Sequence, residues 1–274
     1  MSAVPTLKLN DGHTMPQVGF GLWQVPNDSA SSVVQTALSL GYRLLDGAAL
    51  YGNEVEFGEG LRRADIDREE VFVTTKVWND RHGYDSALRA IDESLARIGV
   101  ETLDLCLIHW PCPDKDLYVE TWKALIEAKS QGKTRSIGVS NFNADHLERI
   151  IGETGEVPVL NQIELHPQMQ QPELRGVHAE KGIVTQSWTP LGKSLSFDHP
   201  VVVSICERTG HTPAQVVLRW NIQLGCAVIP RSTNAQRMAQ NLAIADFELT
   251  EDEMAAMAVL HTKARLGPDP LQFS

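Results

Sequence analysis

The stretch that decides the fold runs from Val71 to His109, "VFVTTKVWNDRHGYDSALRAIDESLARIGVETLDLCLIH". It opens on β-branched residues (71–76), crosses a polar loop, carries apolar residues at helical spacing over 84–98, and closes on a second apolar run, 103–109. Strand, helix and strand in this order form a crossover unit. Each strand ends on an ionisable residue, Lys76 in one and His109 in the other. Period-two alternation places Thr74 with Lys76, and Leu105 and Leu107 with His109, on one face.

The same unit repeats outward in both directions. Further strands are expected at 18–23, 42–46, 135–140, 159–164, 183–188 and 226–230. Helical patterns lie at 29–40, 55–64, 118–131, 144–152, 171–181, 200–224 (in two pieces split near Thr212-Pro213) and 234–242. "TLKLNDGHTMP" (6–16) reads as a hairpin turning at Asp11-Gly12, and "TEDEMAAMAVL" (250–260) opens a last helix with Thr250 and Glu253 as a capping box. Eight strands alternating with helices fit an α/β (β/α)8 TIM barrel, with the hairpin before it and extra C-terminal helices. A doubly wound sheet is the alternative. With no linker, repeat or low-complexity stretch, residues 1–274 are expected to form a single domain.

In such a barrel the C-terminal strand ends make the functional face. "YRLLDGAALYGNE" (42–54) brings Asp46 to a strand end and Tyr51 to the loop after it. If Leu44 and Asp46 face inward like Thr74 and Lys76, then Asp46, Lys76 and His109 meet at one mouth with Tyr51 over it. Taken singly, each has a plain reading: a helix cap, a solvated lysine, a hydrogen-bonded core histidine, a packed aromatic. Their coincidence on one face points to a shared site.

The 24 basic and 35 acidic residues leave a net charge of −11, which argues against nucleic acid or an anionic membrane as partner. The start of the chain lacks the pattern of a signal peptide, and no apolar run approaches membrane-spanning length. Cys106, Cys112, Cys206 and Cys226 show no disulfide spacing; a reducing, cytoplasmic location is expected. In "CLIHWPC", residues three apart fall on opposite strand faces and no second cysteine pair follows, so no metal site is expected. "GFG" (19–21) is no dinucleotide fingerprint, lacking the third glycine and the strand–helix context. "IPRSTNAQR" (229–237) offers an anion site instead, with Arg231 and Ser232 after the last strand and Arg237 in the next helix.

"GFGLWQ", "GYRLLDGAALYGNE", "VFVTTKVWND", "LDLCLIHWP", "SIGVSNF", "NQIELHP", "SWTPLG" and "VIPRSTNAQRMAQNL" together resemble the aldo-keto reductases over essentially the whole chain. "WNDRH" and the tryptophan of "SWTPLG" look closest to the bacterial branch that includes 2,5-diketo-D-gluconate reductases. The resemblance implies NADPH-dependent reduction of aldehydes and ketones, small carbonyls or keto sugars such as methylglyoxal or 2,5-diketo-D-gluconate, by a monomer. It implies a catalytic tetrad of Asp46, Tyr51, Lys76 and His109. Tyr51 would be the general acid, and its ordinary pKa of about 10 calls for help. Lys76 would lower that pKa, Asp46 would keep Lys76 charged and in place, and a neutral His109 would orient the carbonyl.

By the same matching, Ser140, Asn141 and Gln162 would hold the nicotinamide carboxamide and Trp188 would stack on its ring. Leu22 and Trp23 would lie near the nicotinamide ribose. Leu191, Gly192, Ser232 and Thr233 would follow the pyrophosphate and ribose. Arg231 and Arg237 would meet the 2′-phosphate, and Gln240 and Asn241 the adenine. Trp23, Trp78, His109 and Trp110 would line the substrate cleft, an apolar wall with few polar groups.

The chain departs from the family's usual threonines at Gly47 and Leu22, from lysine at Arg231 and from glutamate at Gln240. Glycine at 47 is expected to loosen the Tyr51 loop, and the short tail "RLGPDPLQFS" to leave an open cleft. Two other functions compete: an NADPH-binding sensor or regulatory subunit, and a Schiff-base aldolase using Lys76. The latter needs a neutral amine, which the neighbouring acid disfavours.

Overall fold

The computed structural model describes residues 5–273. Residues 1–4 and 274, the ends of the expected domain, lie outside the described residues. In the deciding stretch, β5 (Phe72–Val77) and β6 (Leu103–Ile108) pair in parallel, with Thr74 opposite Leu105 and Lys76 opposite Leu107. The helix joining them, α3 (Tyr84–Ile98), buries Ala87, Ala90, Ile91, Ser94 and Ile98, an i, i+3, i+4 stripe. Gly99 ends it in the left-handed conformation at φ 74°, where a side chain is disfavoured.

The other strands are β3 (Phe20–Gly21), β4 (Leu44–Asp46), β7 (Thr134–Ser140), β8 (Leu160–Glu164), β9 (Val184–Trp188) and β10 (Ala227–Val228). With β5 and β6 they form one parallel sheet, in sequence order from β3 to β10. Its ends meet. Val18 pairs in parallel with Val228, the Gly19 N–H donates to Val228 O (2.8 Å), and the Val228 N–H to Gln17 O (2.9 Å). The sheet is a closed eight-stranded barrel, as expected, and the open-sheet alternative falls.

Helices α1 (Asn27–Ser39), α2 (Glu54–Arg63), α4 (Tyr118–Ser130), α5 (Ala144–Thr154), α6 (Pro172–Lys181), α8 (Pro213–Gln223) and α9 (Ala235–Leu242) alternate with the strands. Two helices exceed the alternation: α7 (Pro200–Thr209), before α8, and α10 (Glu251–Ala258). Both α8 and α10 start on capping boxes, at Thr212/Gln215 and Thr250/Glu253.

Alternation sorts the strand residues into two layers. Leu45, Val73, Val77, Cys106, Ile108, Ile137 and Val139 face the helices, and Leu44, Leu105, Leu107, Leu160, Ala227 and Ile229 fill the barrel. Glycine makes room there: a Cβ on Gly138 would fall 2.8 Å from Leu107 Cδ2 and 2.6 Å from Leu160 O. The hairpin of β1 (Thr6–Lys8) and β2 (Thr14–Pro16) closes the bottom with buried Leu9 and Met15. Its connection spans Leu9–His13, longer than a two-residue turn, with Gly12 at φ 91°. Apolar layers below leave the polar inward residues at the other end.

Candidate active site at the strand ends

The inward positions at the C-terminal ends are Asp46, Lys76, Ser140, Gln162 and Gln186, all buried, with His109 one residue past β6. Its N–H continues the ladder to Val77 O (3.1 Å). Tyr51 stands on the loop after β4. The four residues expected together do come together. Lys76 Nζ donates to Asp46 Oδ2 (2.7 Å), Gly47 O (2.7 Å) and Tyr51 Oη (3.2 Å). The Tyr51 ring lies 5.8 Å from the His109 ring, centroid to centroid.

An ammonium and a carboxylate this deep require one another: breaking a buried pair from one side costs about 3–5 kcal/mol. Three acceptors satisfy the three ammonium protons. Burial alone would lower the Lys76 pKa, but the Asp46 carboxylate and Tyr51 leave it raised, so the amine is charged at neutral pH. That removes the neutral amine an aldolase needs. His109 is held well below its ordinary range, first by burial and then by the Lys76 charge. It is neutral at pH 7. Its Nδ1 is buried without a partner, which leaves Nε2 as the ring nitrogen able to meet a ligand.

Tyr51 differs from expectation. Lys76 does draw its pKa down, but burial outweighs that charge and Asp46 opposes it, so the net direction is upward. The phenol is therefore protonated throughout the neutral range. Gly47 also departs from expectation. Its N–H is bound to Thr74 O (2.9 Å) and its carbonyl to Lys76, so the residue is pinned rather than loosened. A glycine carbonyl serves here as well as any other.

Two residues make contacts that were not legible in the sequence. The Gln162 amide donates to both Asp46 Oδ1 (2.8 Å) and Gln186 Oε1 (2.7 Å), fixing the second carboxylate oxygen. The register that sets Gln162 opposite Gln186 on β8 and β9 is the signal that would have found them. Phe273, at the end of the chain, packs on Trp110 (4.6 Å) and Trp78 (6.2 Å). The tail thus covers the cleft, and the expected open cleft is corrected: Pro268 and Pro270 prevent a helix and lay the segment across the mouth.

The remaining expected residues surround this mouth. Trp23, half exposed, lies 5.0 Å from the Tyr51 ring, and Trp78 lies 4.9 Å from His109. Trp110 is buried between Phe273 and Trp188. Ser140 Oγ donates to Gln162 O, Asn141 Nδ2 donates to His109 O and Ser140 Oγ, and Trp188 Nε1 donates to Asn141 Oδ1 (2.7 Å). Ser140 Oγ and Asn141 Oδ1 each keep one acceptor position. Leu22 is buried in the sheet–helix core, so any contact it makes with a ligand falls to its backbone.

Leu191 and the buried Gly192 follow β9; Ser232 and Asn241 are buried and Gln240 half-buried beside α9. Arg231, Thr233 and Arg237 are exposed there. Arg231 reaches Gln24 across the mouth (3.4 Å), and Asn234 caps α9 by accepting from the Arg237 N–H (3.0 Å). Two exposed guanidinium groups near a helix N-terminus, in a chain of net charge −11, fit a phosphate-bearing ligand.

Among the described residues no group of three or more His, Cys, Asp or Glu could share a metal ion, and no helix is long and apolar enough to cross a membrane. Cys106 faces the helices while His109 faces the mouth.

Comparison with known proteins agrees with this geometry. Residues 17–261 match the model of the aldo/keto reductase family. An aldo-keto reductase of Mycolicibacterium smegmatis is 50% identical over 270 residues, covering 98% of both chains. The methylglyoxal reductase DkgA of Escherichia coli is 47% identical over 275 residues, 99% of both. Among solved structures, a mutant of Gox0644 in complex with NADPH superposes over the whole of both chains with a TM-score of 0.96 at 48% identity.

Proposed function

We propose that this chain, which belongs to the aldo/keto reductase family, reduces small aldehydes and ketones to alcohols with Tyr51 as general acid. It is an NADPH-dependent oxidoreductase with a TIM-barrel fold. The observation that carries the proposal is the buried Asp46–Lys76 pair with its ammonium 3.2 Å from the Tyr51 hydroxyl. A purely regulatory NADPH-binding role leaves that contact without a use.

When bound, the reduced nicotinamide supplies the hydride. The residues present fit that cofactor: Arg231 and Arg237 for the 2′-phosphate; Leu191, Gly192, Ser232 and Thr233 for the pyrophosphate and ribose; Ser140, Asn141 and Gln162 for the carboxamide; Trp188 for the ring. His109 Nε2 donates to the carbonyl oxygen and fixes its approach. As the carbon gains hydride, the oxygen becomes an alkoxide and takes the Tyr51 proton. Lys76 stabilises the phenolate left behind, and Asp46 keeps Lys76 charged. Solvent then reprotonates Tyr51. Trp23, Trp78, Trp110 and Phe273 line the cleft, and this aromatic wall suits a small carbonyl with few polar groups.

The chain is read as one domain working as a cytoplasmic monomer. The test follows NADPH oxidation with methylglyoxal, an aromatic aldehyde and 2,5-diketo-D-gluconate. Turnover with methylglyoxal or the aromatic aldehyde is expected. Tight NADPH binding with no turnover on any of the three would favour the regulatory role.

A further inference from the structure

Glu164 ends β8 inside "NQIELHP" and is fully buried, yet the mechanism gives it no task. Its carboxylate is not idle. Oε1 accepts from the Leu266 N–H (2.5 Å) and faces His166 Nε2 at 3.0 Å; Oε2 accepts from the Gly267 N–H (3.0 Å) and lies 3.8 Å from Arg265 Nη1. Burial alone would raise its pKa, but His166 and the two backbone donors hold it below the usual carboxylate range. Hydrogen bonds to an ionised acceptor are about twice as strong as neutral ones, and two of them converge on consecutive residues of an otherwise irregular tail.

That point of attachment adjoins the cleft. A Cβ on Gly267 would fall 2.4 Å from Trp188 Cη2 and 3.2 Å from Glu164 Oε2, so the tail lies directly against the indole edge. Six residues on, Phe273 rests on Trp110 and Trp78. On the other side the His166 ring abuts Gly192, where a Cβ would come within 3.1 Å of it. One carboxylate therefore ties the tail to the strand end between Trp188 and the loop at Gly192.

We propose that Glu164 is a positioning residue for the substrate cleft: its buried carboxylate fixes the C-terminal tail so that Phe273 rests on Trp110 and Trp78 as the cleft's outer wall. The proposal rests on the reductase reading only for the identity of what the cleft binds. Glu164 touches no reacting atom and acts on substrate affinity rather than on proton transfer.

The test combines amide exchange with kinetics on the full chain. Glu164→Gln preserves shape but removes the charge and sets an amide N–H against backbone donors. Exchange across 262–273 is expected to speed up by roughly tenfold or more, as two charge-assisted bonds are lost. With an aromatic aldehyde, KM is expected to rise roughly threefold to tenfold in Glu164→Gln and again in Phe273→Ala, the worth of an aromatic contact. In both variants kcat should stay within about twofold, since the tetrad is untouched. The double variant should be no worse than Glu164→Gln alone, because an unanchored Phe273 no longer contributes.

Unchanged tail exchange, KM effects that multiply in the double variant, or a fall in kcat at constant KM would each overturn the proposal. Should Glu164→Gln fold poorly, Gly267→Ala displaces the same segment from the Trp188 side and is expected to give the same KM rise. Native KM in that variant would count against the proposal. Exchange needs no turnover, so a chain that failed to oxidise NADPH would refute the reductase reading while the anchor was still judged.

Discussion

Replacing Lys76 by Met removes one charge from the floor of the cleft and keeps the length and apolar stem of the side chain. In the native chain the ammonium lies 3.2 Å from the Tyr51 oxygen. At an effective dielectric near 20, a unit positive charge at that distance favours a phenolate by about 5 kcal/mol. Asp46, bound to the same ammonium at 2.7 Å, opposes part of this. We therefore expect a net loss of about 3–4 kcal/mol from the transition state, or roughly a hundredfold to a thousandfold in kcat. The assay is steady-state NADPH oxidation, with NADPH affinity measured separately by tryptophan fluorescence. Stability must be read alongside, because the variant leaves Asp46 buried with only the Gln162 amide and is expected to lose about 3–5 kcal/mol. The double variant Lys76→Met/Asp46→Asn removes both charges and should regain much of that stability without regaining rate. A Lys76→Met protein that turns over within about threefold of native, or a double variant whose rate returns with its stability, would refute the reasoning.

Two further outcomes follow from the charges. Arg231→Ala should weaken NADPH binding by about tenfold to a hundredfold, the worth of one charge-assisted contact, while NADH affinity changes by less than about twofold; an equal loss for both cofactors would place the guanidinium elsewhere than at the 2′-phosphate. Burial, with Lys115 beside one and Arg175 beside the other, holds His82 and His178 down to about 4 from 6.5. The unfolded chain binds those protons first, so their contribution is fully present above pH 6.5 and is lost as pH falls towards 4. Between pH 7 and 5 each is expected to cost on the order of 2 kcal/mol of stability, and a Tm that rises over that interval would contradict the assignment.

Much of this molecule was legible because its information is local. Alternation within "VFVTTK" and "LDLCLIH" decides which side chains face inward, and strand ends in a barrel share one mouth, so Lys76 and His109 could be brought together before any coordinates. The capping box at Thr250 is equally local. What escaped depends on distance in the chain. The contact of Gln162 with Asp46 joins residues 116 positions apart, and Phe273 meets Trp110 from the far end of an irregular tail. The direction of the Tyr51 pKa escaped for another reason: neighbours can be named from sequence, but the weight of burial against their charge cannot.

The central claim is that Tyr51 delivers the proton. The most direct measurement compares native chain and Tyr51→Phe in NADPH oxidation with a carbonyl that the native chain reduces, with NADPH affinity determined for both. Phenylalanine keeps the ring against Trp23 and His109 and removes only the hydroxyl. The expected result is a fall in kcat of roughly a hundredfold to ten-thousandfold with NADPH affinity unchanged within about twofold. Turnover within about threefold of native would contradict the account and pass the proton to another donor in the cleft.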